Sequence, residues 1–368
     1  MVGLVALDLA GGQGYVDAVQ RIWDRGDAVL PLDRRAPSAH RAVVMAALRP
    51  TSLIDADGEH PLEGDEVEPD DALVMPTSGS TGIPKGVVHT HSGLRASAVA
   101  TSARLGVTSA DRWLACLPLA HIGGFSVITK ALYSGAGLVV HDGFDAAAVE
   151  DSARQGVTLV SLVATALRRV EPRLFRTIVL GGSRPPDERP PNVVTTYGMT
   201  ETGSGIVYDG VPLDGVEVRI APDGEILVRG QMLLRAYRDG TSPVDTDGWL
   251  HTDDSGRLAD GRLVVDGRRG DLIVTGGEKV WPDAVERSLA HHPQVAEVAV
   301  AGVADDEWGQ RVAAWVVPID PAEPPSLDEL RAHVKDTLPA THAPKQLLVV
   351  ESLPKTALGK VQRTKLRS

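Results

Sequence analysis

The chain is expected to fold as a mixed α/β (α+β) protein, with a large N-terminal domain of parallel-type sheets and a small β-meander, followed by a small C-terminal α/β domain. Three observations point there. Apolar runs at 138–140, 159–162 and 177–180 alternate with helix-like segments such as 146–155, the texture of buried parallel strands. From Val216 onward short alternating strands at 216–220, 225–229 and 262–265, broken by turn residues, read as an antiparallel meander. After Asp271 the strand and helix pattern resumes on a smaller scale.

Taken in order, residues 1–54 look like small α/β material, with a helix at 41–48 ending before Pro50. The acidic stretch 55–71 reads as a solvated connection. A short strand at 72–75, a Gly-rich turn and a second strand at 87–89 follow. Next comes a helix at 92–105, with Ser92 as its N-cap. Near the C-terminus the pattern predicts a helix at 282–291, strands at 295–303 and 313–318, a helix at 327–338 and a strand at 347–350. The domain boundary is expected near 267–271, where Gly267 and Gly270 flank Arg268 and Arg269. That divides the chain into 1–267, a hinge at 268–271 and 272–368.

Composition excludes several classes. The formal charge of −12 argues against general binding to nucleic acid or anionic lipid, which need net positive attraction. One cysteine, Cys116, permits no intrachain disulfide and no Cys-based zinc site. No apolar stretch approaches the roughly 20 residues that span a bilayer, so no membrane insertion is expected and the reading is cytoplasmic. The G-x-S-x-G nucleophile pattern is absent, which disfavours a serine hydrolase.

The strongest chemical signal lies at 77–86. Gly79 and Gly82 permit a tight backbone, Thr77, Ser78, Ser80 and Thr81 supply hydroxyls, and Lys85 supplies a point charge. Backbone N–H groups and hydroxyls in a Gly-rich turn make an anion cradle, and a lysine neutralises what it holds. This is a polyphosphate-binding design without the P-loop spacing.

Thr-Ser-Gly-Ser-Thr-Gly-Ile-Pro-Lys-Gly also resembles the phosphate signature of the adenylate-forming superfamily, which includes acyl- and aryl-CoA synthetases. Tyr197-Gly198-Met199-Thr200-Glu201 is similar to its Tyr-Gly-x-Thr-Glu motif, and residues 248–254 to its Gly-Trp-x-x-Thr-Gly-Asp motif. Residues 267–273 resemble its hinge, and Pro354 to Lys360 its terminal Pro-x-x-x-x-Gly-Lys. Five matches stand in the family's order from about residue 72 to the C-terminus.

The resemblance implies an ATP-dependent acid–CoA ligase: a carboxylate attacks the α-phosphorus of ATP, pyrophosphate leaves, and coenzyme A takes the acyl group from the adenylate. The 77–86 cradle would hold the β- and γ-phosphates, Glu201 would ligate Mg²⁺, and Thr200 would contact the α-phosphate. Tyr197 and Gly198, with the Gly181-Gly182-Ser183 loop, would line adenine, and Asp254, assisted by Arg268, would bind the ribose hydroxyls. Lys360 would be the lysine of a movable C-terminal domain that reaches the α-phosphate and acyl oxygens. Gly276 and Gly277 would line the thiol tunnel, and His121, in a Pro-x-x-His segment, would border the acyl pocket. The implied partners are a small carboxylic acid, ATP and coenzyme A, and a homodimer is compatible with this reading.

Departures narrow the expectation. The phosphate loop begins at 77, much earlier than in most family members, so part of the usual N-terminal subdomain is expected to be missing. Asp253 stands where the family has glycine, and Gly270 where it usually has a polar hinge residue. The short N-terminus with His121 to Ser126 most resembles the o-succinylbenzoate–CoA ligases of menaquinone biosynthesis. A dicarboxylate needs a second cation, for which Arg95 and Lys130 are candidates. Alternatives are another aryl- or fatty acyl-CoA ligase, or a stand-alone adenylation enzyme loading a carrier protein. His89 and His91, at i and i+2, read as structural or surface residues on one strand face.

Overall fold

The computed structural model describes residues 2–78, 84–182, 188–355 and 361–366. By compactness the chain forms two units, Met1–Val218 with Val228–Leu250, and Arg219–Leu227 with His251–Ser368.

The first unit holds two seven-stranded sheets. One is ordered Ala236–Tyr237, Pro84–Thr90, Asp71–Ser78, Ala28–Pro31, Leu4–Leu7, Ser52–Asp55 and Gly58–Pro61. The acidic stretch expected to be a loop thus contributes the turn and second strand of the hairpin Ser52–Asp55/Gly58–Pro61. Asp55 Oδ1 accepts the Asp57 N–H at 2.9 Å and closes the turn. Its second strand is fully exposed, so it lacks the apolar alternation that would mark it in sequence.

In the other sheet, strands Gly137–Val140, Arg112–Ala115, Leu159–Leu162, Thr177–Leu180 and Val193–Met199 run parallel. Ser204–Tyr208 and Val211–Pro212 extend it in antiparallel fashion. The parallel strands expected at 138–140, 159–162 and 177–180 are present, although Gly137–Val140 lies at the edge and is only half-buried. Trp113, Ile178 and Val160 are fully enclosed.

Helix His91–Leu105 touches both sheets, through Pro84–Thr90 and Ser204–Tyr208. Most of its buried residues are small, among them Gly93, Ala98 and Ala100, beside Leu94 and Leu105. Two of its buried hydroxyls are satisfied across the interface, Ser97 to Ser204 at 3.0 Å and Thr101 to Tyr208 at 3.3 Å. The N-cap is Thr90, not Ser92: Thr90 Oγ1 accepts the Gly93 N–H at 3.1 Å, while Ser92 Oγ donates to Asp70 at 2.8 Å. His91 opens this helix, so it does not share a strand face with His89.

In the second unit Arg262–Arg268, expected as a meander strand at 262–265, pairs antiparallel with Leu250–Ala259, a strand that the meander reading did not name. A further sheet is built from Glu278–Val280, Ile273–Thr275, Gly309–Pro318 and Val295–Asp305, with Gln346–Val349 parallel to Gly309–Pro318. Helices Pro282–Leu289 and Leu327–Lys335 cover it through Val285, Leu289, Leu330 and Val334. The basic stretch near the C-terminus is not uniformly solvated. Arg363 lies against Asp271, Asp283 and Glu286, and Lys355 pairs with Glu297 at 2.6 Å. Three carboxylates hold this arginine.

Among the described residues no helix is long and apolar enough to cross a membrane. Cys116 is buried, and burial pushes its thiol up to about 12.

Candidate active site

The phosphate-loop strands form an antiparallel pair in which Thr77 faces Lys85 and Ser78 faces Pro84. Gly79, Ser80, Thr81 and Gly82, and the side chain of Ser78, lie outside the described residues. Close packing explains the glycine that follows the lysine. A Cβ at Gly86 would stand 2.7 Å from Val74 Cγ1 and 2.8 Å from Leu48 Cδ2.

The second sheet delivers other predicted residues to one edge. Gly181-Gly182, Tyr197-Gly198 and the segment leading to His121 all follow the carboxyl ends of parallel strands or form those ends. Ligands of open α/β sheets bind in the crevice outside those ends. Ser183 lies outside the described residues. At Gly198 the strand register shifts, and a Cβ there would lie 2.2 Å from the Ser204 carbonyl oxygen. A tight turn, Thr200–Thr202, then presents Thr200 and Glu201.

That turn is held by two side chains that sequence reasoning did not assign. His89 Nε2 lies 2.7 Å from the Thr200 carbonyl oxygen. A carbonyl can only accept, so Nε2 carries the proton and Nδ1 is a buried lone pair without a partner among the described residues. Burial draws the His89 pKa down to about 4, keeping the ring neutral. Tyr237 donates its hydroxyl to Glu201 Oε1 at 3.0 Å, and its ring centroid lies 4.6 Å from Lys85 Nζ. The phosphate-loop lysine and the motif glutamate, 116 positions apart by number, therefore meet on opposite functions of one phenol.

His121 stands at the N-terminus of helix Ile122–Ser134, with Nε2 buried and without a partner among the described residues. Burial lowers its pKa, with Asp33 opposing and Arg35 adding to the effect. On the same helix Lys130 is buried, its Nζ 3.3 Å from Ser126 Oγ and 5.9 Å from the Trp113 ring. Burial pulls its pKa to about 8, and no carboxylate among the described residues pairs with it. Arg95, the other cation considered, is exposed.

In the second unit Asp254 faces Arg268 across the strand pair, with Arg268 Nε 2.9 Å from Oδ1. The Asp254 N–H donates to Thr252 Oγ1 at 3.1 Å. Asp253 adopts φ +59°, the left-handed conformation that accounts for the family's glycine. Aspartate is among the few other residues that enter that region readily. Gly276 and Gly277, with φ +59° and +84°, form the two-residue turn of hairpin Ile273–Thr275/Glu278–Val280. A Cβ at Gly276 would come within 2.6 Å of Trp308. Lys360 lies outside the described residues.

Residues 17–238 match the AMP-binding enzyme family, and residues 284–360 match the AMP-binding enzyme C-terminal domain. The chain belongs to the AMP-binding enzyme family. Among members, the probable 2-succinylbenzoate–CoA ligase of Mycobacterium tuberculosis (strain ATCC 25618 / H37Rv) is 41% identical over 331 residues, 82% of this chain and 85% of that protein. The 2-succinylbenzoate–CoA ligase of Listeria monocytogenes serovar 1/2a is 36% identical, covering 80% of this chain and 69% of that one. The solved o-succinylbenzoate CoA synthetase (MenE) of Bacillus subtilis, in complex with the acyl-adenylate intermediate OSB-AMP, superimposes with a TM-score of 0.87 at 31% identity. That comparison covers 100% of this chain and 88% of the other. The same enzyme is also known in complex with ATP and magnesium ion, with a TM-score of 0.86 at 31% identity, over 99% of this chain and 89% of the other. Like these AMP-binding enzymes, the chain has a mixed α/β fold with a large N-terminal domain and a smaller C-terminal one.

Proposed function

We propose that this AMP-binding enzyme is an ATP-dependent acid–CoA ligase acting on 2-succinylbenzoate, in the cytoplasm. The observation that carries the reading is the meeting of Lys85 and Glu201 on Tyr237. It brings the polyphosphate lysine and the metal-binding carboxylate of two separate motifs to one place.

In the first half-reaction a substrate carboxylate oxygen attacks the α-phosphorus of ATP and pyrophosphate departs. Every participant is anionic, so the protein's task is charge neutralisation and alignment. Thr77, Ser78, Gly79, Ser80, Thr81, Gly82 and Lys85 cradle the β- and γ-phosphates, and Thr200 contacts the α-phosphate. Tyr197, Gly198, Gly181, Gly182 and Ser183 line the base, and Asp254 with Arg268 takes the ribose hydroxyls.

Glu201 suits Mg²⁺, which takes one or two carboxylates and completes its shell with phosphate and water. Among the described residues no group of three or more His, Cys, Asp or Glu could hold a metal by itself. Bound there, Mg²⁺ supplies charge neutralisation of the phosphates.

In the second half-reaction the thiol of coenzyme A attacks the acyl carbonyl and AMP leaves. The terminal motif assigns Lys360 to the α-phosphate and acyl oxygens in adenylation, and Gly276 and Gly277 to the thiol path. Residues 268–271 are the proposed pivot between 1–267 and 272–368; a Cβ at Gly270 would meet nothing within 4 Å.

His121 borders the acyl pocket in this reading, and Lys130 is the cation for the second carboxylate. A buried ammonium without an acidic partner is costly unless an anion completes it. A panel of carboxylic acids, read out as AMP and acyl-CoA, tests the assignment. 2-Succinylbenzoate is expected to be the best acid, and Lys130→Met to raise its KM about 10- to 100-fold while the KM for ATP holds. No acid-dependent AMP from any member would overturn the reaction. A monocarboxylate outrunning the dicarboxylate would overturn the substrate.

A further inference from the structure

We propose that Tyr237 is a positioning residue that acts as a spacer, preventing Lys85 and Glu201 from neutralising each other before the nucleotide arrives. This role rests on the adenylation reading above. Tyr237 belongs to a two-residue strand, Ala236–Tyr237, docked antiparallel on Pro84–Thr90. Backbone hydrogen bonds clamp it on both sides, Arg235 N–H to the Val88 carbonyl at 2.9 Å and Arg238 N–H to the Gly86 carbonyl at 2.7 Å. Tyr237 stands opposite Val87. Lys85, two residues from Val87, is its diagonal neighbour on the same face, within reach of an aromatic ring. The same segment reaches the motif turn, because the Leu234 N–H donates to the Glu201 carbonyl oxygen at 2.8 Å. The ring is therefore fixed from two directions.

Its two functions meet opposite charges. The π face lies 4.6 Å from the Lys85 ammonium, and the hydroxyl donates to Glu201 Oε1 at 3.0 Å. A ring face attracts a cation without neutralising it. A phenol O–H satisfies one carboxylate oxygen without removing the negative charge. Glu201 Oε2 makes no hydrogen bond among the described residues, so it is available to a hard cation. Asp239 is engaged by Thr241 through N–H at 3.0 Å and Oγ1 at 2.6 Å, contacts that, with help from Lys85, hold its carboxyl below the usual range. Without the ring, the ammonium and the Glu201 carboxylate would be free to pair directly, and each would then be occupied when ATP arrives.

The test compares Tyr237→Phe, Tyr237→Leu and Tyr237→Leu/Glu201→Gln. Calorimetric ATP binding with and without Mg²⁺ is measured beside turnover. Phe keeps the ring and loses the hydroxyl. It is expected to lower kcat about tenfold and raise the Mg²⁺ requirement, while metal-free ATP binding stays at the wild-type level. Leu lets the charges meet, and is expected to weaken metal-free ATP binding at least about tenfold as well. Removing the capturing charge in the double variant should restore that binding to the level of Glu201→Gln alone. A role limited to local packing would give no such rescue. Equal metal-free binding in all folded variants, or a Leu defect that Glu201→Gln leaves untouched, overturns the spacer. Wild-type protein that forms no acyl-adenylate with any acid overturns the adenylation reading instead, and the two failures are separable. Thermal melts confirm folding, and Phe, the least disruptive change, decides the hydroxyl's part if Leu does not fold.

Discussion

Glu201 in the first unit and Asp254 in the second, both assigned to the nucleotide, are held in opposite ways. Asp254 is buried and faces a guanidinium, with Arg268 Nε 2.9 Å away. The side chain of Glu201 meets only a neutral donor among the described residues, the hydroxyl of Tyr237. A charged partner makes an acceptor that is fixed and already neutralised, which suits uncharged hydroxyls. A neutral partner leaves a full negative charge, which suits a hard cation. On the roles proposed above, the difference teaches that the partner chosen for a carboxylate, rather than the carboxylate itself, would select its ligand.

Removing each charge should break this contrast most visibly. Glu201→Gln is expected to cut kcat about 100-fold or more and to blunt its dependence on Mg²⁺. Asp254→Asn keeps shape and an acceptor oxygen, and is expected to raise the KM for ATP about tenfold with a smaller change in kcat. Pyrophosphate release measured across Mg²⁺ and ATP concentrations separates the two. If both variants lose the same parameter, the carboxylates do not divide the work.

A second, smaller effect sharpens the contrast, because the neutral scaffold around Glu201 has an acid limit. The folded pKa of His89 is about 4, below its ordinary 6.5. Between those values the unfolded chain binds more protons, so stability rises with pH there. The contribution is complete above about 6.5, shrinks as pH falls, and is gone below about 4, a few kcal/mol at most. Thermal unfolding from pH 7 to pH 4 should show this slope, and His89→Gln, whose amide can still donate to the Thr200 carbonyl, should flatten it. Parallel slopes would assign the acid sensitivity to other groups.

The smallest effect concerns Asp253 at φ +59°. Glycine there should leave stability within about 0.5 kcal/mol, whereas alanine should cost about 1 kcal/mol. Urea denaturation of the two variants checks this. Alanine tolerated as well as glycine would mean that backbone conformation does not set the family's preference at this position.

Much of the fold was legible because parallel strands declare themselves. The runs at 159–162 and 177–180 are mostly apolar, each with one hydroxyl residue (Ser161, Thr177), and they are largely enclosed strands of one sheet. The hairpin at Ser52–Asp55/Gly58–Pro61 was not legible, because solvent on its faces removes the apolar signal. The cap at Thr90 was missed for a local reason: Thr90 and Ser92 are both competent caps, and the contact of Ser92 with Asp70 decides between them. In the candidate site, Glu201 and Lys85 were singled out through motif spacing. His89 and Tyr237 were not, because their partners lie 111 and 36 residues away and no local pattern encodes that distance.

By itself the amino-acid order determined the chemistry on offer: a hydroxyl- and glycine-rich turn with a lysine, a Thr-Glu pair, an Asp that closes a Gly-Trp motif, and a lysine in a Gly-Lys motif. Such motifs are legible in one dimension because their groups act from contiguous backbone. Only the tertiary structure decided that a phenol stands between Lys85 and Glu201, that a buried neutral imidazole holds the Thr200 carbonyl, and that Lys130 is enclosed with no acid paired to it among the described residues while Arg95 faces solvent. Burial and partnership are set by which distant strands pair and what they exclude from water, and those quantities do not exist until the chain has folded.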